Sequence, residues 1–314
     1  MGFSTLNDDH LIRSNLWSSD LKEVLEGELL GMGFVKMLSD FPDGDTLNIP
    51  SIGQAEVLDY TEGQAIRYTA MDTGNFTFTI DQYKSSATYI TNKMKQDSYV
   101  MSELMASFVP RQSRAIMVAM ENLIMSIGPD AQTAADLNAI NGASHRFVGG
   151  GASGIIAIAD FARAKYSLDK AFVPSANRIA IVDPSVEYEL NKTTNLVSVS
   201  NNPKWEGIIS TGMSTGMRFV ANVYGFDVYV SNYLKGGYAE TINSVAVTAG
   251  VANLFFSAAP DVLPFVGHIR QAPKVDSSYN KDLQRDEYVT TCRYGFKLFR
   301  PENLVVVLTA VTTI

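Results

Sequence analysis

A single cysteine, Cys292, in 314 residues leaves no partner for an intrachain disulfide and no thiolate set for zinc. Histidine is nearly as scarce. His10, His145 and His268 lie in unrelated segments without ligand spacing, and read as surface or loop residues. Charged residues make up only 18% of the chain, which leaves more surface for apolar contact and favours association between copies. The net charge of −8 argues against a protein whose main task is gripping nucleic acid, since that needs clustered Lys and Arg to displace counterions. No apolar run approaches the roughly 20 residues of a membrane helix; the longest surrounds Leu304–Leu308. Met1 to His10 carries neither a basic region nor an apolar run, so no secretory signal and folding in the cytosol are expected. The sequons at Asn75 and Asn191 then carry no meaning.

Catalytic groupings are missing too. No Gly-x-Ser-x-Gly elbow marks a nucleophile. Asp81, Asp97, Glu103 and Glu121 are scattered, and are expected to make solvated or intersubunit polar contacts. Gly149, Gly151 and Gly154 have the spacing of a dinucleotide-binding motif, in which glycines let backbone amides approach a pyrophosphate. Only Phe147-Val148 precedes them as a strand, and no P-loop lysine follows, so a flexible loop between subdomains is the favoured reading. No catalytic residue, cofactor or metal is expected. A chain this long without a convergent set of reactive groups points to a structural role.

What is present is architecture. At this length one large domain or two intimately joined ones can bury a sizeable core. Asp20 and Glu23 resemble a capping box, and Leu21, Val24, Leu25 and Leu29 form a helical stripe ended by Gly31 and Gly33. Phe34–Leu38 reads as a short strand. An excursion follows, from Asp43-Gly44-Asp45 through Thr46–Pro50, reversing near Asp59–Gly63 and returning through Ile66–Thr69 and Phe76–Ile80. Phe76, Phe78 and Ile80 alternate with Thr77 and Thr79, the period-two pattern of a half-buried strand. A two-stranded hairpin is marginal alone in water, so a neighbouring subunit is expected to cover it.

Residues 81–94 read as a connecting stretch, and 97–127 as a helix about 45 Å long, striped by Ile116, Met120, Leu123 and Ile127. A kink or break is expected near Ser107–Pro110, with Gly128-Pro129 closing the helix. The cluster Met101, Met105, Met117, Met120, Met125 reads as helix packing, and residues 129–154 as a loop with marginal helix. A helix over Ile155–Lys170, a buried strand over Arg178–Val182, a helix over Val186–Leu190 and strands at Phe226–Val230 and within Val245–Phe256 follow. Residues 288–298 alternate cleanly, placing Tyr288, Thr290, Cys292, Tyr294, Phe296 and Leu298 on one face. Cys292 is therefore a small buried hydrophobe. Leu304–Leu308, apolar on both faces, is a central strand.

This order of elements resembles the major capsid proteins of tailed bacteriophages, with the Hong Kong 97-type fold. Asp43–Pro50 looks like the start of that family's extended loop and Phe78–Lys84 like its exit. Asp97–Ile127 is similar to the spine helix; Leu168–Pro184 and Gly225–Asn232 resemble axial-domain elements; Tyr294–Val306 looks like the closing strand pair. The resemblance implies an α+β subunit: an N-terminal arm and short helix (1–42), an extended loop (43–82), a peripheral domain with spine helix (83–145), an axial domain (146–268), return strands (269–299) and a closing strand (300–314). It also implies hexamers and pentamers of the chain closing into an icosahedral virion shell around double-stranded DNA, assembled in the host cytoplasm. Scaffolding, portal and cement proteins would be partners, packaged DNA would be contacted non-specifically, and no membrane would be involved. Asp59, Tyr60, Thr61, Glu62 and Gly63, at the loop tip, are the expected subunit-contact residues. An encapsulin-type compartment shares the fold and is the alternative; a nucleotide-dependent α/β enzyme built on the glycines is the remote one.

Overall fold

The computed structural model describes residues 29–39, 44, 46–52, 57–59, 61–65, 73–97, 101–132, 137–192, 219–242 and 244–311. The expected arm, the capped helix before Leu29 and the returning segment 66–69 lie outside them.

Two sheets share one long helix. The first sheet has four strands in the order β1 (Val35–Met37), β13 (Phe265–Asn280), β14 (Arg285–Leu298), β4 (Gln82–Thr91). Its inner face carries Thr290, Cys292 and Tyr294, all fully buried, as the alternation predicted. Helix α2 (Met101–Ala131) packs on that face, with Gln112 Oε1 accepting from the Thr290 hydroxyl at 2.8 Å. The short helix α1 (Asn92–Asp97) is tied to β14 by the Lys95–Asp286 ion pair.

The second sheet has seven strands. In order these are β7 (Arg146–Val148), β15 (Val305–Ala310), β12 (Val245–Ser257), β8 (Arg178–Val182), β10 (Phe226–Val230) and β9 (Phe219–Val223), with β11 (Tyr238–Ile242) also on β12. Both of its faces are covered, so its central strands are apolar throughout. Val306, Leu308, Leu254 and Phe256 face α2 and join Met120, Ile124 and Phe34 in one core. Val305, Val307, Phe255 and Ala180 face the other way, against α3 (Ile158–Lys170) and α4 (Pro184–Lys192). There Phe255 meets Phe161 and Phe226 edge-on at 5.2 and 5.4 Å. The remaining pairs are the hairpin β2 (Thr46–Ile52) with β3 (Thr73–Thr79), and the small β5 (Ala139–Ile140) with β6 (Ala143–Ser144).

Four expectations are corrected. Residues 82–91 form a ten-residue strand, not a connector; the inner positions Gln82, Ser86 and Thr88 are polar, so alternation is faint and pairing with β14 decides the state. Helix α2 runs unbroken through Pro110 and on through Pro129. Pro110 is exposed, so the carbonyl it leaves unpaired one turn back can turn to water, and tertiary packing offsets the lost bond. The stretch 129–154 contains β5, β6 and β7, not marginal helix, and β7 completes the seven-stranded sheet beside β15. Of the methionine cluster, Met120 and Met125 are buried but Met117 is 41% exposed, while the side chains of Met101 and Met105 lie outside the described residues.

Candidate assembly interface

The β2–β3 hairpin pairs only with itself, in register from Thr46–Thr79 to Ile52–Thr73, a paired span of about 20 Å. Its base is anchored. Phe78 is fully buried with Ile80 and Val266, and Phe76 meets Phe299 edge-on at 4.9 Å. Lys297 Nζ donates to the Thr77 carbonyl at 2.7 Å and lies 5.2 Å from the Phe76 ring centre. Towards the tip the support ends: Val57, Asp59, Thr61, Glu62 and Gly63 are exposed. The chain reverses through a turn in which Gln64 N–H donates to the Thr61 carbonyl, with Gly63 at φ +84°, a conformation glycine adopts without steric cost. Among the described residues nothing from the body of the subunit covers the tip. Tyr60 lies outside them.

The frame behind the hairpin is stiffened by buried polar groups. Glu121, expected in a solvated or intersubunit contact, is instead fully buried in the middle of α2. Its Oε1 accepts from the amides of Leu30 at 2.9 Å and Gly31 at 2.8 Å, and its Oε2 accepts from Gly31 at 2.8 Å. Burial pushes its carboxyl pKa up, against the opposing pull of those amides and Arg114. Two amides at the start of a 3-10 turn lack intrahelical partners, and the helix side chain supplies one. At the other end of α2, Arg146 is buried on β7. It donates to both carboxylate oxygens of Glu240, at 2.6 and 3.0 Å, and to the Pro129 carbonyl at 3.0 Å. Asp130 accepts from Tyr238 and Lys235 beside it, so helix and second sheet are pinned together.

The glycine loop does not resemble a vacant phosphate cradle. The Gly150 amide donates to both oxygens of Asp160, at 2.9 and 3.1 Å, and the Ala157 amide to Oδ2 at 2.7 Å. Gly149 N–H goes to Leu308 O and Gly151 N–H to Ile155 O. A buried carboxylate thus stands where a phosphate would need to sit, and would repel it. Nor is the loop a loose connector: a Cβ on Gly149 or Gly151 would lie 2.6 or 2.7 Å from the Ile155 carbonyl oxygen, and Gly154 sits at φ +78°. The glycines serve close backbone packing.

His145, expected as a surface or loop residue, lies in the link between β6 and β7 but is fully buried; its Nδ1 donates to the Ala143 carbonyl and burial lowers its pKa. His268 Nδ1 is 2.8 Å from the Leu38 carbonyl, and His10 lies outside the described residues. Cys292 is buried as predicted, its thiol donating to the Gln271 carbonyl and its pKa raised by burial. Among the described residues no group of His, Cys, Asp and Glu could hold a metal ion, and no helix is long and apolar enough to cross a membrane. The internal roles of Glu121 and Arg146 are not legible in the sequence, because Glu121 meets amides 90 and 91 residues away and Arg146 meets the Glu240 carboxylate 94 residues away; the amides that Asp160 accepts from, Gly150 and Ala157, are within ten residues of it.

Comparison with known proteins gives a consistent picture. A sequence model described as phage capsid protein matches residues 75–307. A search of curated proteins finds no match. Among solved structures, a chain from Mycobacterium phage Che8 is 18% identical, with a TM-score of 0.69 over 95% of this chain and 97% of that one. A chain from the capsid of cyanophage P-SCSP1u is 14% identical, with a TM-score of 0.68 over 97% and 94%. A chain from the mature capsid of bacteriophage PhiM1 is also 14% identical, at 0.68 over 96% and 93%. At these identities the likeness concerns the fold.

Proposed function

Because this chain belongs to the phage capsid protein family, we propose that it is the major shell subunit of a tailed bacteriophage, assembling as hexamers and pentamers into an icosahedral container for double-stranded DNA. The observation that carries the reading is the β2–β3 hairpin: anchored at its base by Phe78 and Phe76, exposed at its tip, and unsupported by its own subunit among the described residues. A hairpin of this kind is stabilised when another copy covers it. Heterologous contacts, one patch meeting a different patch on the next copy, close into rings when the rotation permits.

In this reading residues 1–42 form an arm and 43–82 the extended loop, with Asp59, Tyr60, Thr61, Glu62 and Gly63 touching a neighbour. Most of the four-stranded sheet and α2 belong to the peripheral domain (83–145 and 269–299), with β1 contributed by residues 1–42, and the seven-stranded sheet belongs to the axial domain (146–268 and 300–314). Strand β13 begins at Phe265 and straddles the 268/269 boundary, so the two domains share a continuous strand there. Scaffolding and portal proteins act during assembly in the host cytoplasm, and cement proteins are added to the finished virion surface. DNA is faced rather than gripped, consistent with the net charge of −8.

The test is expression of the full chain, alone and with its scaffolding partner, followed by sedimentation and negative-stain imaging. Closed shells of uniform diameter are expected. Only monomers or small open oligomers under both conditions would overturn the reading, and shells that package a cargo enzyme in place of DNA would favour the compartment alternative.

A further inference from the structure

The turn after α3 contains an exposed aromatic in a position that suits glycine. The Val173 amide donates to the Leu168 carbonyl and the Phe172 amide to the Asp169 carbonyl, and Leu168 and Val173 are buried in the same core. This is the Schellman arrangement of a helix C-terminus, whose left-handed residue is usually Gly. Here it is Phe172, at φ +57° and with 86% of its surface exposed. For a bulky residue that conformation is an outlier.

The turn is also rigid. Arg178, 2% exposed, donates to the carbonyls of Val173 and Pro174 at 2.9 and 3.2 Å and to Asp169 at 2.5 Å. Asn141 Nδ2 donates to the Lys170 carbonyl at 2.7 Å. A lone exposed apolar side chain is ordinary. One that is held firmly in a strained conformation, with its ring directed to solvent, gains nothing for its own subunit. Rigid aromatic anchors are the side chains that carry binding energy at interfaces, each burying on the order of 150 Å² or more.

We propose that Phe172 is an intersubunit anchor, inserted into a second copy of this chain on assembly. The inference rests on the shell reading and names one contact within it; the similar chains from capsid structures support self-association as the setting. The experiment compares wild type with F172G, F172N and F172W. Glycine and asparagine both tolerate the left-handed conformation, so their unassembled subunits should fold and melt no lower than wild type, with F172G higher by about 2 °C. Both should need roughly tenfold more protein to assemble, whereas F172W should assemble as wild type does. Normal shell yield from F172G and F172N at wild-type concentration would overturn the proposal. A wild type that forms no shells under any condition would remove the shell reading itself, and this contact with it.

Discussion

Replacing Glu121 tests how the N-terminal segment is fastened to the long helix. Leu30 is 4% exposed, and the amides of Leu30 and Gly31 have the Glu121 carboxylate as acceptor. In E121A both donors stay buried without that partner, at about 1–3 kcal/mol each, so a loss of about 2–6 kcal/mol is expected. For a chain of this size that is a fall of roughly 4–12 °C in Tm. E121Q keeps one carbonyl oxygen able to serve both amides, but turns an NH2 towards Gly31, and should cost about 1–2 kcal/mol. The assay is urea unfolding of the unassembled subunit, with amide exchange followed at residues 30 and 31. Exchange there should accelerate even if the loss is local and the rest of the fold persists. An E121A subunit with unchanged unfolding free energy and unchanged protection at Leu30 and Gly31 would refute the reasoning.

The same residue makes a signed pH prediction. Burial raises its folded-state pKa above the ordinary 4.5, so the folded state holds the proton more tightly than the unfolded chain. Its contribution is fully present below pH 4.5 and is lost as pH rises through the raised folded value. The stability of wild type relative to E121Q should therefore decline over that window, and a difference that grows with pH would show the sign to be wrong.

Three further outcomes are expected. Deleting Asp59 to Gly63 should leave a folded subunit with an unchanged far-ultraviolet spectrum that fails to form shells; full-sized particles in normal yield by sedimentation would sink the hairpin argument. Cys292 should resist thiol reagents in the folded subunit and react stoichiometrically after denaturation, since its thiolate is disfavoured by burial; rapid labelling of the folded protein would put β14 out of register by one residue. Replacing Gly149 and Gly151 by Ala should destabilise the subunit by about 1–3 kcal/mol through contact with the Ile155 carbonyl. Calorimetry should detect no nucleotide binding before or after that change, and micromolar affinity in the wild type would restore the phosphate-cradle reading.

Local periodicity alone determined a good deal. Residues 288–298 announce a strand with one packed face because alternation is a property of the backbone, and Thr290, Cys292, Tyr294 and Phe296 of that face are buried, while Tyr288 and Leu298 are half-buried and Gly295 is buried on the opposite face. Leu304–Leu308 reads as central because only a strand covered on both faces can be apolar at every position; it lies between β7 and β12. The stripe Ile116, Met120, Leu123, Ile127 marked the helix face that meets the core. Tertiary structure decided the rest. Strand β4 is a strand because β14 pairs with it, not because Gln82, Ser86 and Thr88 favour one. Pro273 is accommodated in β13 where the register with β14 shifts, beyond the short reach of β1. Pro110 does not break α2, since packing against two sheets outweighs one missing hydrogen bond. Glu121 and His145 look like solvated or loop residues in the sequence, yet both are buried. Glu121 and Arg146 are held inside because their partners, two amides 90 and 91 residues away for Glu121 and the Glu240 carboxylate 94 residues away for Arg146, reach them only when the chain is folded.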